Sequence, residues 1–143
     1  MKKYIKAFAS NRSDIAADIE SKAFPIMIAL AQLYIFPKNR NRNHWQGEIW
    51  AFLHTISNLN GSNKTPSTDF ILDNTIRCNI KYVSSAADAA IDKEEDEIPR
   101  EHIDIDKLTD MMRDYFSWLA NELHEYRYVT KNAVYAKLDE LGL

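Results

Sequence analysis

The stretch AFPIMIALAQLYIF, residues 23–36, decides the fold class. It is the densest apolar run in the chain, fourteen residues long. A membrane-spanning helix needs about 20 such residues, so this run is too short to cross a bilayer. It also carries Pro25 and Gln32. Proline removes a backbone N–H and marks a kink or a restart. From Ile26 to Phe36 the run is apolar almost all round, which predicts a helix buried at the centre of a helical array.

The periodicity on either side agrees. Toward the N-terminus, Tyr4, Ile5 and Phe8 predict a short helix over 2–9. Ser13 or Asp14 can cap a second one carrying Ile15, Ile19 and Ala23, since a short side-chain oxygen accepts an unpaired N–H. After the apolar run, Pro37 to Asn43 reads as a polar link. Trp45, Ile49, Phe52, Leu53, Ile56 and Leu59 then mark one face of a helix over 44–60. Gly61 and Pro66 separate it from the next element. Leu72, Ile76, Ile80, Val83 and Ala87 predict one helix from Asp69 to about Ala90. An acidic connector follows near 92–104, too polar to pack. Leu108, Met111, Met112, Tyr115, Leu119, Leu123 and Tyr126 predict a long helix with Asp104 or Asp106 as its cap. Thr130 opens a last helix with Val134, Leu138 and Leu141, stopped by Gly142.

The expectation is an all-α single domain over 1–143, a bundle or orthogonal array of five to six helices. The composition fits. At 143 residues the chain can bury a core without metals or disulfides. Its 45% hydrophobic and 27% charged content is that of a globular protein. Three glycines and four prolines leave little turn chemistry for a sheet. Cys78 is the only cysteine, so no internal disulfide can form. With no long apolar core after the first lysines, a reducing cytoplasm is the expected setting.

The net charge is −3, which argues against a general nucleic-acid binder. The charge is unevenly spread, however. Residues 1–45 hold eight cations against three acids, and residues 88–106 hold nine acids against two cations. Two solvated faces are the expected result, with orientation of a partner as the functional alternative.

The link itself is unusual. Lys38, Arg40 and Arg42 alternate with asparagines and lead into His44 and Trp45. Such cations can neutralise phosphates, and a tryptophan can stack on a base. Trp45 is in phase with the core stripe, so a structural link is the first expectation. RNRNH, residues 40–44, also resembles the Arg–polar–spacer–His motif of the small helical nucleases called HEPN domains. That resemblance implies Arg40, Asn41 and His44 as RNA-cleaving positions, working within a dimer. The spacer here is shorter than the family's. The link is similar, too, to uncharacterised bacterial helical domains with a proline, arginines and a tryptophan between two helices.

Other constellations are sparse. His44 and Glu48 share a helix face and are the one local pair suited to a metal, with a plain salt bridge as the expected reading. The acidic run Asp92–Glu97 lacks the alternating ligands and glycine of a calcium loop. No Gly-x-Ser-x-Gly elbow and no glycine-rich phosphate loop occurs. The last fifteen residues, VTKNAVYAKLDELGL, resemble a winged-helix recognition helix. That resemblance implies DNA contacts through Lys131 and Lys137, with Arg127 nearby. The preceding NELHEYRY lacks the usual glycine turn. These readings lead to a non-catalytic interaction or regulatory protein of bacterial or phage type, acting on a protein partner, with a homodimer expected and no cofactor, metal or membrane. The alternatives are a nucleic-acid-binding regulator and a HEPN-like ribonuclease.

Overall fold

The computed structural model describes residues 23–36, 42–59, 68–92, 103–126 and 129–143. The described residues form six helices and no strand, so the fold is all-α. The two N-terminal helices expected before Ala23 lie outside the described residues, as does most of the acidic connector.

Helix α1, Phe24–Ile35, is the central element. Pro25 falls in the first turn of this α-helix, a position that its fixed φ suits. Ile26, Met27, Ala29, Leu30, Ala31, Gln32, Leu33 and Ile35 are buried on every side of it. That is what its near-continuous apolar run predicts. Helix α2, Arg42–Leu59, packs against α1 and buries Gln46, Ile49 and Leu53. Trp45, Trp50 and Phe52 lie half-buried along its flanks. The helix starts two residues before the expected 44, so Arg42 and Asn43 belong to its first turn rather than to the link. Nothing in Arg-Asn-His opposes helical backbone.

The single helix expected from Asp69 to Ala90 is two. Helix α3 spans Thr68–Arg77 and helix α4 spans Ile80–Asp92, with Cys78 and Asn79 between them. The Asn79 side chain accepts the Tyr82 N–H at 3.2 Å and so caps α4. The Cys78 carbonyl accepts a hydrogen bond from Arg113 Nε at 2.7 Å, which replaces the bond a continuous helix would have made. The buried side of α3 carries Ile71 and Asn74, with Cys78 just beyond it. Leu72, Ile76 and Ile80, expected in the core, are 48%, 76% and 54% exposed. Asp73 and Arg77 form an ion pair one turn apart on α3. Burial raises the Asp73 carboxyl above its usual range, against the pull of Arg77. Helix α4 buries Val83, Ala86, Ala87 and Ala90. Its small side chains let it lie close against α1.

Helix α5, Ile105–Tyr126, carries the longest buried stripe: Leu108, Met112, Tyr115, Phe116, Leu119 and Leu123. Asp104 Oδ1 accepts the Lys107 N–H at 3.0 Å, so of the two expected caps Asp104 is the one that serves. Helix α5 packs on α3, α4 and α1. Tyr34 of α1 meets Asp104 at the start of α5. Burial and the Asp104 charge raise the phenol's pKa, and a hydrogen bond with the Asp104 backbone opposes them.

Helix α6, Lys131–Glu140, begins at Thr130, whose hydroxyl accepts the Ala133 N–H at 3.1 Å. It ends in a Schellman turn. The Leu143 N–H reaches the Leu138 carbonyl at 2.8 Å, and the Gly142 N–H reaches Asp139 at 3.0 Å. Leu143 and Leu138 are both buried beside this turn. Gly142 has φ of 81°, in the left-handed region. A Gly142→Ala variant is therefore expected to lose about 1 kcal/mol of stability in urea unfolding, although no side chain crowds the position.

Candidate functional site

The sequence candidates fall into two groups, one at the start of α2 and one on α6. Lys38, Arg40 and Asn41 lie outside the described residues. Arg42 sits at the first position of α2, and His44 follows two residues later, exposed. His44 Nε2 stands 3.9 Å from Glu48 Oε1, a long ion-pair contact across one helical turn. The His44 ring meets Trp45 edge-on, with centroids 4.6 Å apart. The Trp45 indole N–H is buried, with no hydrogen-bond acceptor among the described residues. Trp45 thus anchors the helix to the core, as its phase in the stripe predicts. Among the described residues no three His, Cys, Asp or Glu side chains gather into a metal-binding group. His44 and Glu48 alone offer two ligands, short of the three or four that hold zinc.

On α6 the two lysines have different surroundings. Lys131 is exposed, and its ammonium stands 5.5 Å from the Tyr135 ring centroid. Lys137 is only 6% exposed. Its ammonium donates to Asp114 of α5 at 3.2 Å and to Glu140 at 3.0 Å. Burial works against the charge, and the bonds from Glu140 and Asp114 outweigh it, so the ammonium's pKa is raised. A phosphate at Lys137 would have to displace two carboxylates, so this lysine pins α6 to α5.

The packing of α6 against α2 brings Tyr135 of α6 up to Gly47 of α2. Gly47 is the close point. A Cβ there would lie 3.8 Å from the Tyr135 hydroxyl. Trp50 and His54, one turn apart on α2, meet edge-on with centroids 4.0 Å apart. Neither α2 nor α6 has an acidic residue in its first turn. No motif in the sequence marks Gly47, Trp50, His54 or Tyr135 as a site residue. The four-residue spacing of Trp50 and His54 is a visible signal for that pair, whereas the approach of Tyr135 to Gly47 has no local signal.

Two reactive groups sit in the core instead. Burial pushes the Cys78 thiol up to about 12, with the nearby Arg113 pulling the other way. Such a thiol is protonated and inert at neutral pH. Burial likewise pushes the Tyr115 phenol well above its ordinary value, and its hydroxyl has no partner among the described residues. No family model, curated protein or solved structure gives a significant match to the chain. Among the described residues no helix is long and apolar enough to cross a membrane.

Proposed function

We propose that this chain is a non-catalytic protein-interaction or regulatory protein that engages a protein partner through Leu72, Ile76 and Ile80. The observation supporting this is the exposure of these three side chains at 48%, 76% and 54%. Burying such a side chain is worth roughly 1.5–3 kcal/mol, so leaving three in water forgoes a large stabilisation. They follow one another every fourth position across the α3–α4 break. Exposed apolar groups on either side of such a break, beside the Asp73–Arg77 pair and the exposed Lys81, mark interaction surfaces. A symmetric homodimer is the simplest assembly, because one self-complementary patch then covers itself.

Sedimentation equilibrium of the wild-type chain and of Ile76→Glu tests this reading. A concentration-dependent dimer in the wild type, reduced to monomer in the variant, is the expected result. If the wild type stays monomeric and immobilised wild type and variant retain the same host proteins, the face is not an interface. Cleavage of labelled RNA that disappears in His44→Ala would overturn the non-catalytic reading.

A further inference from the structure

The seam between α2 and α6 lies apart from the apolar face and has a different chemistry. Positions three and four residues from Gly47 share its side of the helix. Asn43, His44, Trp50 and Ala51 therefore surround the point that Tyr135 approaches, and His54 lies one further turn along. Asn43 is exposed, and Trp50, His54 and Tyr135 are each half-buried. Half-burial fixes a ring while leaving part of it to solvent. Lys131 adds an exposed ammonium 5.5 Å from the Tyr135 ring centroid. Along the seam lie half-buried aromatic rings and an imidazole on α2, and on α6 a tyrosine ring with a cation 5.5 Å from its centroid. The acids of α6, Asp139 and Glu140, lie at its opposite end, and Glu140 is held by Lys137. The carboxylate nearest along α2 is Glu48, about 100° around the helix from Gly47 and 3.9 Å from His44.

Rings paired with a nearby cation suit a ligand that has a flat π-face and a negative charge a few ångströms away. We propose that the α2–α6 seam binds a base–phosphate unit, the base stacking on the Tyr135 or Trp50–His54 rings and the phosphate meeting Lys131. Base stacking on aromatic side chains tolerates any base, and one cation suffices to place a phosphate without making the protein basic overall. The unit can come from a free nucleotide or from a single-stranded nucleic acid. The proposal does not depend on the apolar face, and neither stands or falls with the other.

Fluorescence anisotropy of the full chain with labelled oligo(U) and oligo(dT), at about 50 and about 200 mM salt, tests the single-strand source. Quenching of tryptophan fluorescence by uridine monophosphate tests the free nucleotide. Binding in either arm is expected, weaker at the higher salt. Tyr135→Leu is expected to weaken it about fivefold or more, the effect of losing one stacked base. Lys131→Gln is expected to weaken it and to make the oligonucleotide salt slope shallower by about 0.7, as for one lost phosphate contact. Lys131 is exposed, so this variant keeps the fold, and circular dichroism verifies that for both. Lys81→Gln, on α4 beside the apolar face, is the control and is expected to bind as wild type does. The absence of binding in both arms would overturn the proposal. So would binding that Lys131→Gln leaves unchanged, or that Lys81→Gln weakens equally.

Discussion

Ile71→Ala is expected to lower the stability by about 2–5 kcal/mol, and Ile76→Ala to change it by no more than about 0.5 kcal/mol. The two residues are five positions apart on the same helix and identical in chemistry. Ile71 is 1% exposed and Ile76 is 76% exposed. Truncating the first removes packed methyl groups and leaves a cavity. Truncating the second removes atoms that face water in the single chain, so the comparison is made at concentrations where the chain is monomeric. Urea unfolding monitored by circular dichroism measures both. Equal losses would mean that α3 is rotated from the register described above.

That register is where the sequence misleads. Apolar residues at 72, 76 and 80 repeat every four positions, as regular a stripe as the one on α5. The true buried side of α3 runs through Ile71, Asn74 and Cys78, and its middle member is polar. A reading that counts apolar residues skips Asn74 and chooses the wrong side. The break has a similar origin. Asn79 is a good helix cap, but the group that takes the freed Cys78 carbonyl is Arg113, which no local pattern reveals. By contrast α1, α2, α5 and α6 are legible, because the apolar residues that repeat along each of them are the ones that turn inward, and the caps of α5 and α6, Asp104 and Thr130, lie next to the helices they start.

The candidate site divides along the same line. Thr130 caps α6 as local sequence suggests, and Lys131 is exposed. Lys131 and Lys137 are about 120° apart around an ideal helix, so one surface cannot easily use both. The carboxylate of Asp114, which takes Lys137 inward, comes from a distant part of the chain.

Raising the pH is expected to unfold the protein through its buried acids. An ordinary cysteine loses its proton near pH 8.5 and an ordinary tyrosine near pH 10. In the folded chain burial holds the Cys78 thiol up to about 12 and the Tyr115 phenol well above its usual value. The unfolded chain therefore releases these protons first, and the folded state binds more of them. Stability must then fall as the pH rises, by about 1.4 kcal/mol per pH unit for each such group. The fall begins near pH 9 with Cys78 and steepens above about pH 10 as Tyr115 joins. Lys137 acts in the same sense. Its raised pKa contributes stability below the ordinary lysine value, and that contribution is lost as the pH climbs past it.

Urea midpoints between about pH 8 and about pH 11 provide the measurement, with two variants to separate the groups. Cys78→Ala is expected to flatten the profile between about pH 9 and 10, and Tyr115→Phe to flatten it above that. Wild-type and Cys78→Ala slopes that coincide between about pH 9 and 10 would show that the thiol titrates freely.

The bond from Arg113 to the Cys78 carbonyl joins residues 35 positions apart. It can close only when α3, α4 and α5 are all in place, so no two of the three can complete it alone. Those helices should behave as one cooperative unit in native-state hydrogen exchange, with their slowest amides opening together under rising denaturant. Helix α6 is held by α2 and by the Lys137 pairs, whose Asp114 carboxylate is 54% exposed, and it should release its amides at lower denaturant.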